Sequence, residues 1–418
     1  MKPKLLMIVN EFPPVGESGV QRPLKFLKYL DRAGWETHVV TPRRPAKTVL
    51  DYSLCKDIPP QTRIHKTFSL GFSGRAVDTV ARVRFQTSHE RPRPLLWTIL
   101  NLFNHILFPL DKQIGWVPFA LARSLWVIRR HGIRNVYVTA YPNSAFLIGI
   151  CLKKLLGDRI FWVADYRDAW QFEPLLQERL PAFRKRIIRR WDERTLACCD
   201  RAVFVTEPIR SQYLRTYPRL KQKTTVITNG YDEDDFTGLK PHAFDALTFL
   251  YMGKFYSLHR PDPRPLFRAL SRISGLDFRL VHIGTVSQDV KAAIGDFAFY
   301  GYEGYKTHRE ALEFALGADV NLLLINDDKE SEGVYTGKLF ELLRAGRPIL
   351  ALGPRQGVAR ELIEGTNAGV YAHLGNEQEI LEKLNMLLEQ REQHRADPEA
   401  AGAFSRERLC QQLIGLYG

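Results

Sequence analysis

The chain has 418 residues, 45% hydrophobic and 25% charged, which is too long for one ordinary core and too apolar for a disordered protein, so two globular domains are expected. Its five cysteines (Cys55, Cys151, Cys198, Cys199, Cys410) form no C-x-x-C pair and no His/Cys cluster, leaving reduced thiols in a cytosolic protein as the simplest account. The net charge of +14 is uneven: residues 1–240 hold 40 Lys and Arg against 22 Asp and Glu, a net +18, and the remainder holds 20 against 24, a net −4.

That asymmetry points to a first half that meets a polyanionic surface, anionic lipid or nucleic acid, with a merely solvated basic face as the alternative. The amino terminus, MKPKLLMIVNEFPP, has too short an apolar run for a signal peptide and reads as a strand, Lys4 to Asn10. A loop carrying Gly16 and Gly19 follows, then helical spacing from about Arg22 through Leu24, Phe26, Leu27 and Leu30, then a strand from Glu36 to Thr41. This is the β-loop-α-β opening of a doubly wound domain. The G-x-G-x-x-G fingerprint is absent, which argues against an ordinary NAD or FAD site. The Gly-bearing loop suits either a backbone approach to a diphosphate or sugar, or a plain turn.

Residues 45–115 lose clear alternation. Within them Pro94 to Leu110 is the most apolar stretch, short of the roughly 20 residues that span a bilayer. Arg82, Arg84, Arg91 and Arg93 precede it and Lys112 follows, so it reads as a segment in a membrane interface or as a buried core helix. Phe183 to Arg194 carries a second basic patch, either a solvated helix face or one that meets an acidic membrane. Alternation resumes at Asn135, and Asp165, Arg167, Asp168 and Trp170 fall at the carboxyl end of a strand, where open α/β sheets bind ligands. The alternative there is structural: Arg167 pairing with an Asp, Trp170 in the core. Ala202 to Val205 and Thr225 to Ile227 read as strands, and Asn229-Gly230 as a turn.

The pattern breaks between Phe236 and Asp245. The expected domains are therefore residues 1–240, residues 241–400, and a terminal helix in 401–418 that folds back over the first. The second domain repeats the βα alternation through LTFLYMGKF, FRLVHIG and Asp319 to Ile325. Thr336 to Leu352 then reads as a loop, a helix, a stop at Gly346-Arg347-Pro348 and a buried strand. Leu339, Leu342 and Leu343 define a packed face, and Lys338 and Glu341 share another. Unpaired amides at Thr336 and Gly337 suit a phosphate. Glu341, one turn further, suits two sugar hydroxyls, or is a solvated Glu beside a Lys.

Together, the Gly-bearing first loop, D-Y-R-D-A-W, T-N-G-Y-D and T-G-K-L-F-E-L-L-R-A-G-R-P-I-L-A-L resemble the family-4 glycosyltransferases, of bacterial cell-surface polysaccharide type. The resemblance implies an α/β protein of two doubly wound Rossmann-like domains facing across a cleft, the GT-B fold. It also implies a retaining transferase that moves a sugar from a nucleotide diphosphate sugar to a lipid-linked or cell-surface glycan acceptor. On the matching positions, Glu341 would bind ribose and the amides of Thr336, Gly337 and Lys338 the diphosphate. Arg260 and Lys338, with Lys254 in reserve, would neutralise the leaving phosphate. Gly304 and Tyr305 would lie by the base, Gly16, Gly19 and Arg22 would close over the donor, and Asp168 would face the acceptor. No metal and no cofactor beyond the donor are expected, since no D-x-D cluster stands at a strand end, and no nucleic-acid module accompanies the charge. The enzyme would be cytoplasmic and peripheral to the inner face of the cytoplasmic membrane. Three positions depart from the family pattern: Gly333 stands where a second acid is frequent, Phe146 where a His is common, and Leu342 where an aromatic is expected. A non-catalytic nucleotide-sugar or glycan binding protein on the same scaffold is the alternative.

Overall fold

The computed structural model describes residues 2–16, 18–44, 50–70, 110–173, 180–255, 261–295, 297–391 and 393–418. Two compact units divide the chain, Met1–Ile227 with Cys410–Gly418, and Thr228–Leu409.

The first unit is built on seven strands: β1 (Lys4–Ile8), β2 (Glu36–Pro42), β3 (Arg63–Thr67), β4 (Asn135–Thr139), β5 (Phe161–Tyr166), β6 (Arg201–Phe204) and β7 (Thr224–Val226). All neighbours pair parallel, in the order β3-β2-β1-β4-β5-β6-β7. The central strands are continuous apolar runs because helices cover both faces; Leu5, Leu6, Met7 and Ile8 are all buried. Strand order reverses between β1 and β4, the place where an open α/β sheet leaves a crevice at its carboxyl edge.

The second unit holds six parallel strands: β8 (Leu247–Phe255), β9 (Phe278–Val286), β10 (Tyr300–Gly304), β11 (Val320–Leu324), β12 (Ile349–Gly353) and β13 (Gly369–His373), in the order β10-β9-β8-β11-β12-β13. Its reversal lies between β8 and β11. Two doubly wound α/β sheets are therefore present, as expected.

The sequence reading missed three strands. β3, RIHKT, and β10, YGYEG, are edge strands whose exposed polar or glycine positions hide the alternation. β13, GVYAH, is a short edge strand, most of it buried. The division of the chain also falls at Ile227, before the expected 236–245. Tyr231 already bridges to Ser405 and Glu233 pairs with Arg344, which ties this stretch to the second unit. Asn229-Gly230 is not a tight turn: Gly230 is there because a Cβ would collide with the Phe404 carbonyl.

Phe146 is buried against Tyr166 at 4.6 Å and Trp170 at 5.9 Å, so both Phe146 and Trp170 serve the core. Among the described residues no helix is long and apolar enough to cross a membrane. Of Pro94 to Leu110 only Leu110 is among the described residues; the rest, with Arg82, Arg84, Arg91 and Arg93, lies outside them. The second basic patch forms part of the helix Ala182–Cys198, with Arg186, Arg189 and Arg190 exposed and Ile188 buried.

Candidate functional site

In the second unit, the helix Gly337–Ala345 begins at Thr336 and ends at Gly346, which takes the left-handed φ of 67° that glycine accepts without cost. Leu339, Phe340, Leu342 and Leu343 are buried on the sheet side. Thr336 makes no side-chain cap, and its buried hydroxyl has no partner in the described structure. The helix thus opens with amides and a hydroxyl available to an anion.

Lys338 reaches over the end of β8. A Cβ added to Gly253 would lie 3.0 Å from its Nζ. Surrounding protein lowers the Lys338 pKa by desolvation; the nearby Glu341 works against this shift and Lys254 adds to it through charge repulsion. Two ammonium groups and a carboxylate therefore act on one another at the carboxyl ends of the strands. Fixed cations so placed favour a phosphate and stabilise charge developing on it.

Gly253 and Gly284 are register partners on β8 and β9. Gly284 has φ +137°, and a Cβ on it would run into the Gly253 carbonyl, so only glycine permits this approach. Beneath it, the fully buried His282 places Nε2 3.1 Å from the Gly253 carbonyl and Nδ1 2.8 Å from the Tyr300 hydroxyl. Nε2 donates to the carbonyl, so Nδ1 accepts from the tyrosine. Burial lowers the His282 pKa to about 4, with the Gly253 bond opposing and Lys338 adding, which keeps the ring neutral.

Gly304 ends β10 at φ +71°, and Tyr305 beyond it is 78% exposed. Three residues on, His308 opens the helix His308–Gly317 and places Nε2 2.9 Å from Glu341 Oε1. The β10 loop carrying Gly304 and Tyr305 is thereby tied to the helix carrying Lys338 and Glu341. His308 was not singled out in the sequence, because its partner lies 33 positions away. Lys254 is exposed at the end of β8. Arg260 lies outside the described residues.

The first unit gathers the other expected residues at the carboxyl edge of its own sheet. Arg22, 2% exposed, donates from Nη2 to Asp165 Oδ1 at 2.8 Å and to the Ile227 carbonyl at 2.9 Å. Asp165 also accepts from the Tyr137 hydroxyl at 2.6 Å and from Thr139 Oγ1 at 2.8 Å. Burial alone would raise the Asp165 pKa, but Arg22 and the hydroxyls hold it below the usual carboxylate range. Arg22 was expected to reach a donor. Here it is buried on Asp165 and links the helix after β1 to β5 and to the residue that follows β7. Gly19 is likewise packed: a Cβ there would collide with Glu11 and Arg167, and its carbonyl accepts from Arg167 Nη1 at 2.8 Å. Gly16 stays on the loop beside Val15, which bridges Leu50. Asp168 sits in the bend after β5 and retains solvent access, while desolvation raises its pKa against the pull of Arg167. The structure thus brings Thr336, Gly337, Lys338, Glu341 and Lys254 into one group, and Arg22, Gly19 and the β5 end into another.

The paired parallel sheets, of seven and six strands, define the two-domain GT-B fold. Solved structures agree over the whole chain. Sucrose-phosphate synthase from Thermosynechococcus elongatus is similar at a TM-score of 0.64 and 14% identity, covering 100% of this chain and 98% of that one. Alr3699/HepE of Anabaena in complex with UDP is similar at 0.61 and 14%, covering 100% and 99%. The lipopolysaccharide outer core galactosyltransferase WaaB is similar at 0.58 and 14%, covering 99% of each. Residues 79–235 match the family model described as Glycosyltransferase Family 4. No curated protein matches the chain.

Proposed function

We propose that the protein is a retaining glycosyltransferase whose second domain holds a nucleoside diphosphate sugar and whose first domain takes a lipid-linked or cell-surface glycan acceptor. The observation that carries this reading is the group at the start of the helix Gly337–Ala345. Uncapped amides and the Thr336 hydroxyl suit the diphosphate, Lys338 and Lys254 its charge, and Glu341 the ribose hydroxyls. The family match in the first domain and the nucleotide-bound relative support it.

In the reaction we infer, the acceptor oxygen bonds to the anomeric carbon on the face from which the diphosphate departs. The carbon–phosphate-oxygen bond breaks, and the acceptor proton passes to the leaving diphosphate. Lys338, with Arg260, offsets the charge that builds on that group, and no cofactor is invoked. Asp168 is assigned to the acceptor. The basic first half is assigned to the inner face of the cytoplasmic membrane.

The deciding assay measures nucleotide release from a panel of nucleotide sugars with membrane lipid extract as acceptor. Release by wild type and not by Glu341→Ala is expected. Tight donor binding with no turnover would mark a non-catalytic binding protein instead, a reading that Gly333, in place of a second acid, favours. Binding to anionic vesicles at low salt, weakened on deleting residues 94–110, tests the membrane assignment.

A further inference from the structure

A second cluster of chemically competent side chains lies in the first unit, at the edge of the sheet opposite the strand carboxyl ends. Glu36 and His38 are the first and third residues of β2, His65 is the third of β3, and His131 is the last of the helix Val117–His131. One ligand atom each from Glu36, His38 and His131 lie within 4.8 Å of one another. His38 Nε2 is 3.2 Å from Glu36 Oε1, and the His38 and His131 rings are 4.4 Å apart. Behind them, His38 Nδ1 is 3.1 Å from His65 Nε2, with the two rings stacked at an interplanar angle of 11°.

We propose that Glu36, His38 and His131 bind one zinc-class divalent cation, with His65 as the positioning residue for His38. Two imidazoles and one carboxylate form a mixed nitrogen and oxygen set that zinc takes with a position left open. Ligand atoms in a tetrahedral site built on bonds of about 2.05 Å stand roughly 3.3 Å apart. The present arrangement, within 4.8 Å, would contract to that spacing on binding. His38 is completely buried and held by His65 through its other nitrogen, which is how ligating histidines are oriented.

The cations around the cluster set its affinity. Lys4 Nζ is 3.6 Å from Glu36 Oε2 and 3.0 Å from the His131 carbonyl. Arg63 Nη2 is 3.8 Å from Glu36 Oε1, and its Nη1 is 3.2 Å from His131 Nδ1. Arg63 thus sits on lone pairs that a metal ion would take from Glu36 Oε1 and His131 Nδ1, so a bound ion must displace it, while Lys4 holds the other Glu36 oxygen and a backbone carbonyl. Arg63 is 54% exposed and free to swing into solvent. The site is separate from the carboxyl-edge chemistry of the proposed transferase. It ties β2 and β3 to the helix that covers them, and so bears on the stability of that edge.

The test uses full-length, untagged protein, stripped with a chelator. It is titrated with Zn2+ by calorimetry and with Co2+ followed by visible absorption, with Mg2+ as the unreactive comparison. One Zn2+ per chain and a Co2+ spectrum of low coordination number are expected. His131→Ala and Glu36→Gln should each weaken binding roughly tenfold or more, and His65→Ala about 10- to 100-fold. Arg63→Gln should tighten binding, because it removes the competing cation, and His373→Ala, in the other unit, should leave it unchanged. Absence of binding, or binding that survives both His131→Ala and Glu36→Gln in protein that circular dichroism shows to be folded, overturns the site. If those two variants misfold, an unchanged or weaker affinity in Arg63→Gln overturns it equally.

Discussion

His308 Nε2 stands 2.9 Å from Glu341 Oε1, on a carboxylate that also acts on the Lys338 ammonium. The hydrogen bond fixes the orientation of the carboxylate that the proposed function assigns to the ribose. The pair also joins the loop after β10 to the helix after Thr336, so both sides of the candidate nucleotide site meet in a single hydrogen bond.

Nucleotide affinity should follow this arrangement. Glu341→Ala removes a charged acceptor, worth about 1.5–3 kcal/mol, and should weaken UDP-type ligands about 10- to 100-fold in a calorimetric titration. His308→Ala should weaken them about 2- to 10-fold, raising the donor KM more than it lowers kcat. His308→Gln, which keeps a donor, should restore most of the loss.

Gly284→Ala should destabilise the second domain by about 3 kcal/mol, read from urea unfolding. The added methyl meets the Gly253 carbonyl at a φ of +137° that alanine does not tolerate. Donor binding should fall as well, since Gly253 lies under Lys338.

His282 predicts an acid limb in the stability curve. Its folded pKa of about 4 lies below the unfolded value of 6.5, so the unfolded chain takes up the proton first as pH falls. The contribution is complete above pH 6.5 and is lost on the way down to about 4, a change on the order of 3 kcal/mol. In His282→Gln, urea midpoints measured across that window should show a flatter slope.

Asp165→Asn should cost the first domain about 3–5 kcal/mol by leaving the Arg22 guanidinium buried against a neutral amide. Thermal unfolding followed by tryptophan fluorescence reads this directly, because Trp162 and Trp170 lie in the same core.

The parts of this protein that the sequence displayed are those with local causes. Ile349 to Leu352 is a buried parallel strand and announces itself as an unbroken apolar run. The helix before it shows its packed face in Leu339, Leu342 and Leu343, and its end in Gly346. β3 and β10 lacked such a signature because an edge strand needs only one covered side. The candidate site residues divided the same way. Lys338 and Glu341 share one helix, so their common face could be read from spacing while their proposed role came from the family resemblance, whereas His308 comes from another helix. Arg22 shows the converse. The family resemblance places it over the donor, and its observed partner Asp165, 143 positions away, could not be read from spacing. The cluster of Glu36, His38, His65 and His131 draws on two strands and a helix end, so no spacing rule could have assembled it.

The last residues of the chain carry a consequence for biosynthesis. Leu413 is fully buried, Tyr417 donates to the Val136 carbonyl at 3.3 Å and lies 5.7 Å from the Trp35 ring, and Cys410 Sγ contacts the Phe26 carbonyl, all within the first unit. Viewed from the ribosome, the second domain is an insert interrupting the first. It can close its own sheet while the chain is still being made, but the first domain is finished only once residues 410–418 have left the exit tunnel. A cut after Leu409 would therefore injure the amino-terminal half.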